Sequence, residues 1–164
     1  TDVLKNSDET KIFRGPGEYE LRGVFIRGIE SFHDENNGED RGFNTIYVIK
    51  IDGLTICHMG DIGISVDDDL TDDIGKIDIL MIPVGGTYTI DSKQAAEIVN
   101  ILKPKVVMPM HAQEDGFEYT SDLQTVDDFI AAAGKVAVER DSKLSVSGTN
   151  LPGEKTIYVL ERSK

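Results

Sequence analysis

Short segments rich in β-branched and aromatic residues dominate the first half of the chain. Val24 to Ile29, Asn44 to Ile51 and Leu54 to Cys57 have this composition, which predicts strands. Asp52-Gly53 separates the last two segments and is typical of a two-residue hairpin turn. Upstream, Pro16 lies between two glycines in a predicted turn that leads into another short strand. The first half is therefore predicted to be rich in β-structure.

The second half has a different pattern, in which apolar runs alternate with helical segments. Ile77 to Val84 and Lys105 to Met110 are mostly apolar, as in strands that are buried on both faces. Two further short strands are predicted around Leu144 to Val146 and at Thr156 to Leu160. The strand–helix–strand–helix order after a β-rich half predicts an α/β fold in which helices cover a mixed sheet.

Each of the two predicted helices begins with a capping pattern. Asp91 fits the N-cap position, with Gln94 at N3. The second helix repeats this arrangement, with Ser121 at the N-cap and Gln124 at N3, and ends before Gly134.

Length, charge and hydropathy narrow the possible functions. A chain of 164 residues is long enough for a hydrophobic core, and we expect a single domain over residues 1–164. The formal net charge of −13 argues against a nucleic-acid partner, because phosphate binding needs clustered lysine and arginine. The sequence holds no apolar run of the roughly 18 residues that a membrane span needs, so no membrane association is expected.

Cysteine usage indicates the compartment. Cys57 is the single cysteine, so no intramolecular disulfide can form, and a reducing, cytoplasmic location is expected. A nucleophilic cysteine needs exposure and a nearby base. The position of Cys57 inside an apolar strand instead favours a buried thiol that acts as a small hydrophobe.

All three histidines of the chain follow predicted strands. These are His33, His58 and His111, and Asp61 lies just beyond the same strand as His58. Reactive groups of α/β proteins gather beyond the carboxyl ends of strands, and imidazole and carboxylate are ligands of transition metals. The pattern therefore allows a metal site of His33, Asp61 and His111. Taken singly, each histidine is more often a hydrogen-bonded structural residue than a metal ligand.

Two other polar segments do not match known ion or phosphate motifs. The acidic run Ser65 to Gly75 departs from the EF-hand pattern, because Asp72 occupies the sixth loop position, which requires glycine. This run instead predicts a solvated loop and the start of a helix. Gly85-Gly86 follows a buried strand, as in phosphate-binding turns, but lacks the lysine and the spacing of a P-loop.

Three segments taken together resemble a known family. They extend from Gly28 to Gly63, from Ile77 to Asp91 and from Leu102 to His111. In that order they place a histidine after one strand, Gly-Asp after the next and Pro-Met-His after a third. This order is similar to that of the metallo-β-lactamase-fold hydrolases, and in particular to the branch that includes the ascorbate-6-phosphate lactonases.

The resemblance implies an αβ/βα sandwich with a metal site at the sheet edges. It implies that His33 and His111 are metal ligands and that Asp61 is the bridging, catalytic carboxylate, whereas His58 has no standard ligand role. The implied cofactor is a divalent metal, with zinc preferred and manganese or iron as alternatives.

One motif of that family has no counterpart in the chain. The HxHxDH motif, which lies upstream in the family and supplies most ligands of the first metal, is absent. The chain also begins with Thr1 rather than methionine. We therefore expect a metallo-β-lactamase-like domain that lacks its N-terminal part.

The expected function is a metal-dependent hydrolase that uses metal-activated water on an ester, lactone or phosphoester bond of a small-molecule substrate. An N-terminal segment, or a second copy in a homo-oligomer, is expected to complete the ligand set. The alternative is a non-catalytic or truncated half of a hydrolase fold that acts as a structural or interaction domain. A third interpretation is an acidic protein-interaction domain that is unrelated to this fold.

Overall fold

An eight-stranded mixed sheet is the main feature of the computed structural model, which describes residues 11–114 and 122–162. The strands are β1 Gly17–Leu21, β2 Val24–Phe32, β3 Phe43–Ile51, β4 Leu54–His58, β5 Ile79–Pro83, β6 Val106–Met110, β7 Ala137–Asp141 and β8 Thr156–Leu160. The helices in these residues are α1 Asp68–Ile74, α2 Ser92–Leu102 and α3 Val126–Ala133. The predicted α/β class is therefore confirmed.

The strand order places several strand ends at one edge of the sheet. Spatially the order is β1-β2-β3-β4-β5-β6-β8-β7. β1 to β4 form antiparallel pairs, whereas β4, β5, β6, β8 and β7 pair in parallel. Two reversals separate β2 from β4, so the two strands run in the same direction. The carboxyl ends of β2, β4, β5 and β6 consequently share one edge of the sheet.

The turn between β3 and β4 has the predicted chemistry. Asp52 and Gly53 have φ values of 48° and 75°, and they join strands whose register pairs Ile51 with Leu54. Positive φ at both positions matches the right-handed twist of the strands, and Asp-Gly tolerates it at low cost. This confirmed hairpin fixes which residues of β4 point toward the helices.

The main core lies between the helices and one face of the sheet. Leu80 and Ile82 of β5 and Val107 of β6 are fully buried there, and Phe129 of α3 is fully buried in the same cluster. A smaller cluster of Leu54, Ile79 and Val106 occupies the opposite face. Burial on both faces explains why β5 and β6 are nearly continuous apolar runs.

The first predicted helix has the predicted cap. The Asp91 carboxylate accepts hydrogen bonds from the backbone N–H groups of Lys93 and Gln94, both at 2.9 Å. The Gln94 side chain accepts one from the Asp91 N–H at 2.9 Å, which completes the capping box. Lys103 is left-handed after the last turn of α2, where Pro104 cannot continue the helix.

The predicted start of the second helix was wrong. Ser121 lies outside the described residues, and α3 begins at Val126 with Thr125 as its N-cap and Asp128 at N3. The Gln124 side chain instead accepts a hydrogen bond from the Ser92 N–H at 2.8 Å. A tertiary contact with the start of α2 therefore takes the place of the expected capping contact.

The predicted strand around Leu144 to Val146 was also wrong. Leu144 and Val146 belong to an irregular segment and pack against the smaller apolar cluster of the sheet. Their apolar side chains therefore cover one face of the sheet without forming a strand. The strand that does form nearby, β7, was missed because its residues are mostly exposed and charged at the edge of the sheet.

Among the helices of the described residues, none combines the length and the apolar character that crossing a bilayer requires.

The acidic run that does not match the EF-hand pattern contains α1, in agreement with the predicted helix start. Its N-cap is Asp67, whose side chain accepts a hydrogen bond from the Leu70 N–H at 2.8 Å.

Cys57 provides a test of the core. Its thiol is fully buried, and burial raises the pKa of Cys57 to about 12. Since the thiolate is the reactive species, we expect the folded chain at pH 8 to react with an aromatic disulfide reagent only as fast as it unfolds. Stoichiometric reaction in guanidinium chloride is the positive control. Rapid stoichiometric reaction without denaturant would contradict the buried position.

Candidate functional site

Backbone hydrogen bonds join the loops that carry the predicted site residues. His33 follows β2, and the Gly63 N–H donates to the carbonyl of Phe32 at 2.9 Å. His111 follows β6, and the Val84 N–H donates to the carbonyl of Met110 at 3.0 Å. The Ile90 N–H donates to the carbonyl of Ile62 at 3.0 Å, and this bond links the loop after β5 to the loop after β4. The structure thus brings these loops together at one sheet edge.

The imidazole of His33 has an unpartnered nitrogen. Its Nε2 is buried and makes no hydrogen bond, the one side-chain polar atom of this kind within the described residues. A buried polar atom without a partner costs about 1–3 kcal/mol, so such an atom calls for a partner, which can be a water, an ion or a ligand. His33 therefore fits the role of a metal ligand.

The loop after His33 is organised around one carboxylate. Asp34 is 4% exposed, and its two oxygens accept hydrogen bonds from four backbone N–H groups. The donors are Asn36, Gly38, Asp40 and Arg41. Desolvation acts to raise the pKa of Asp34, but these donors outweigh it and hold the pKa below its ordinary value. Asp34 is thus committed to the loop and is not free to bind a ligand.

Asp61 is positioned through its backbone by Asn44. The Asn44 Oδ1 accepts a hydrogen bond from the Asp61 N–H at 3.0 Å. The Asn44 Nδ2 donates to the Ser31 Oγ and to the Met59 carbonyl, both at 2.8 Å. The Asp61 side chain itself is exposed. The sequence analysis did not identify Asn44, because in the sequence it is an ordinary polar residue at the start of a predicted strand.

His58 has a structural contact at one ring nitrogen. Its Nδ1 accepts a hydrogen bond from the Gly60 N–H at 3.0 Å, so the neutral ring carries its proton on Nε2. Desolvation lowers the pKa of His58, and the nearby Asp61 carboxylate acts in the opposite direction. His58 therefore helps to shape the turn before Asp61, and its Nδ1 is not available to a metal.

His111 has an unusual backbone conformation. Its φ is 53°, in the left-handed region, and its side chain is exposed at the sheet edge. Thr87, in the neighbouring loop after β5, also has a positive φ of 59°. Left-handed conformations are rare for non-glycine residues, and for a β-branched residue such as threonine they are outliers that cluster at functional sites.

The three predicted side chains do not form a preassembled metal cage. Across residues 11–114 and 122–162, no group of three or more His, Cys, Asp and Glu side chains is arranged to hold an ion. The structure therefore brings together the loops of His33, Asp61 and His111 without gathering their donor atoms around one point.

A cleft of about 390 Å³ adjoins His33. The loop after β2 contributes one wall, including Asp34 and Arg41, and the loop after β5 contributes Tyr88. Gly63 also lines the cleft, which places it beside the turn that carries Asp61. A second cleft of about 310 Å³, lined by residues such as Arg27 and Lys50, contains none of the predicted site residues.

Comparison with known families identifies the superfamily of the chain. The model of the β-lactamase superfamily domain matches residues 2–111. The curated relatives include a UPF0173 metal-dependent hydrolase of Pyrococcus abyssi, 38% identical over 97 residues, which are 58% of this chain and 43% of the relative. A relative of the same description from Thermococcus kodakarensis is 37% identical over 109 residues, 65% of this chain and 49% of the relative. The chain spans about half the length of the curated relatives it matches.

A solved structure is similar over most of the chain. It is a Thermotoga maritima protein assigned to the Zn-dependent hydrolases of the metallo-β-lactamase superfamily. The TM-score is 0.79 at 34% identity, and the similarity covers 93% of this chain and 73% of that protein. The predicted metallo-β-lactamase fold is therefore confirmed.

Removal of the Asn44 side chain tests its positioning role. In Asn44→Ala the Asp61 N–H loses its acceptor, and two further hydrogen bonds are lost. We expect the Asp61 amide to exchange with solvent at least about tenfold faster and the free energy of unfolding to fall by about 1–3 kcal/mol. Hydrogen exchange measured by NMR checks this. Asn100→Ala, on the exposed surface of α2, is the control, and unchanged exchange at Asp61 in Asn44→Ala would refute the role.

The contact of Gly63 with His33 provides a separate test. A Cβ at Gly63 would lie 2.3 Å from the His33 carbonyl oxygen, which is backbone and cannot rotate away. We expect Gly63→Ala to lower the free energy of unfolding by about 1–3 kcal/mol. Gly153→Ala is the matched control, because a Cβ at Gly153 meets nothing within 4 Å. Equal denaturation midpoints for the two variants would show that the two loops are not in close contact.

Proposed function

The chain belongs to the metallo-β-lactamase superfamily, and from this premise we propose that it is part of a metal-dependent hydrolase with His33, Asp61 and His111 among its metal ligands. The observation that carries the proposal is the shared sheet edge. β2, β4 and β6 all end there, and each is followed by one of the three residues. The buried, unpartnered Nε2 of His33 supports a ligand at this edge.

Divalent ions bound at this edge would supply a water of lowered pKa and would stabilise negative charge on the substrate oxygen. The residues of the chain have distinct roles in that chemistry. His33 offers the buried Nε2, and His111 offers an imidazole at the exposed end of β6. Asp61 is the acid of the three, so its carboxylate would help to hold the cations and would orient a water that they activate. Asn44 fixes the backbone from which that carboxylate extends.

Zinc is the metal we propose, with manganese and iron as alternatives that the same ligands accept. The assignment of the Thermotoga maritima protein to the Zn-dependent hydrolases supports zinc. The proposed reaction is hydrolysis of an ester, lactone or phosphoester bond in a small molecule. The resemblance to the ascorbate-6-phosphate lactonase branch supports a lactone substrate. The single buried cysteine supports a cytoplasmic location.

The remaining ligands are proposed to come from outside the described residues. A further segment of the whole protein or a second copy of this chain would supply them. The lack of a preassembled three-donor group in residues 11–114 and 122–162 is the reason for this proposal. The same observation favours the second candidate function, in which the chain is a non-catalytic structural or interaction half of the fold.

Metal content distinguishes the two functions. We expect the chain purified from zinc-supplemented medium, with its intact mass verified, to retain one or two equivalents of zinc by elemental analysis. Asp61→Asn and His111→Gln are each expected to lower the retained zinc at least about tenfold, because each removes a ligand of a small set. Asp69→Asn, an exposed acidic position on α1, is the matched control.

Hydrolysis of 4-nitrophenyl acetate, a γ-lactone and bis(4-nitrophenyl) phosphate then tests the reaction class. Activity on one of them should disappear with EDTA, return with zinc and be lost in Asp61→Asn. A chain that retains no zinc and hydrolyses none of the three would exclude completion of the ligand set by a second copy and would favour the non-catalytic function for the chain by itself.

A further inference from the structure

The cleft beside His33 contains one cation whose hydrogen-bonding groups are uncommitted. Arg41 is exposed and lines the cleft, and its guanidinium lies over the ring of Tyr88, 5.8 Å from the ring centroid. Within the part of the chain that the structure describes, Arg41 takes part in no ion pair and its side chain makes no recorded hydrogen bond. The five N–H donors of its planar guanidinium group are therefore available to a ligand.

The acidic neighbours of Arg41 have other contacts. The Asp34 carboxylate accepts four backbone N–H groups and is committed to its own loop. Glu35 accepts a hydrogen bond from the Gln94 side chain at 3.1 Å. Asp40 also lines the cleft, and it is exposed like Arg41, so solvent screens both charges. Arg41 is thus the one arginine or lysine that lines this cleft within the described residues, and it lies beside residues proposed to bind cations.

The partner of Arg41 is held by a strained loop. Tyr88 follows Thr87, whose φ is 59° and whose hydroxyl donates to the Asp122 carbonyl at 2.7 Å. Stacking on an aromatic face holds a guanidinium in place while its N–H edges remain free. The loop after β5 thus has an unfavourable backbone conformation at Thr87, the residue directly before the ring that supports Arg41.

We propose that Arg41, supported by Tyr88, binds an oxyanion group of the substrate, a carboxylate or a phosphate, in the cleft beside His33. A guanidinium fork matches both groups in a bidentate geometry. The cleft, about 390 Å³, is large enough for a small metabolite that reaches from Arg41 toward the sheet edge. This inference rests on the proposed hydrolase function and narrows its substrate class to anionic small molecules.

Anion binding is measured on the full chain after EDTA treatment, so that no metal contributes. Succinate and inorganic phosphate are titrated separately, with neutral succinamide as the comparison, while NMR follows the Arg41 Nε–H and the Tyr88 amide. We expect at least one anion to shift both signals to saturation and succinamide to shift neither. The anion that binds more tightly identifies the preferred group.

Substitutions locate the binding. Arg41→Met should weaken anion binding at least about tenfold, and Arg41→Lys should weaken it too, because lysine keeps the charge but loses the fork. Tyr88→Phe should bind like the parent, whereas Tyr88→Leu should bind several-fold more weakly. Arg14→Met is the matched control, since Arg14 is exposed and lines neither cleft. Unchanged thermal melting of Arg41→Met would exclude loss of the fold.

Three results would overturn the inference: no shift with either anion, equal shifts with succinamide, or equal weakening by Arg14→Met. Its failure is separable from failure of the hydrolase function. Zinc-dependent hydrolysis that prefers neutral esters and is unaffected by Arg41→Met would refute the anion site alone. Arg41-dependent anion binding in a chain without zinc-dependent hydrolysis would support the anion site while contradicting hydrolysis by the chain itself.

Discussion

Backbone hydrogen bonds between strand-end loops determine the geometry of the candidate site. The residue before His33 and the residue before His111 each have a carbonyl bonded to the backbone N–H of a neighbouring loop. These bonds do not involve the imidazoles themselves. The framework and the donor atoms are therefore separable, and a ligand can be substituted without loss of the loops that present it. This independence is what allows one fold to carry different chemistry at the same edge.

The same framework explains the glycines near the site. A Cβ at Gly63 would lie 2.3 Å from the His33 carbonyl oxygen, and a Cβ at Gly85 would lie 2.1 Å from the His111 carbonyl oxygen. Each histidine thus has its own carbonyl packed against a glycine of the adjoining loop. Only a residue without a side chain permits these approaches at such distances. The glycines after β4 and β5 therefore serve the packing of neighbouring loops.

Local sequence patterns predicted the elements whose stability is local. The Asp52-Gly53 hairpin and the Asp91 capping box were predicted because each depends on residues close together in sequence. The start of α3 was mispredicted because Gln124 bonds to Ser92, a residue far away in sequence. Asn44 was missed for the same reason, since it lies in β3 and its partner Asp61 lies on the loop after β4. The edge of the sheet that carries His33, Asp61 and His111 was predictable from strand ends, but the positions of their side chains depend on contacts that no local pattern encodes.

The distribution of backbone strain separates structural from functional requirements. Six non-glycine residues of the described chain have positive φ. Arg22, Asn37, Asp52 and Thr87 lie in turns, and Lys103 ends α2. Local geometry accounts for the four of these that are not β-branched, whereas a threonine at positive φ is an outlier even in a turn. His111 and Thr87 remain, and both lie at the sheet edge where the buried Nε2 of His33 also lacks a partner. A fold selected for stability alone would remove such costs, whereas a binding site retains them because the ligand compensates for them. The concentration of these costs at one edge, beyond an apolar and well-packed core, is the physical argument for the proposed ligand site at this edge.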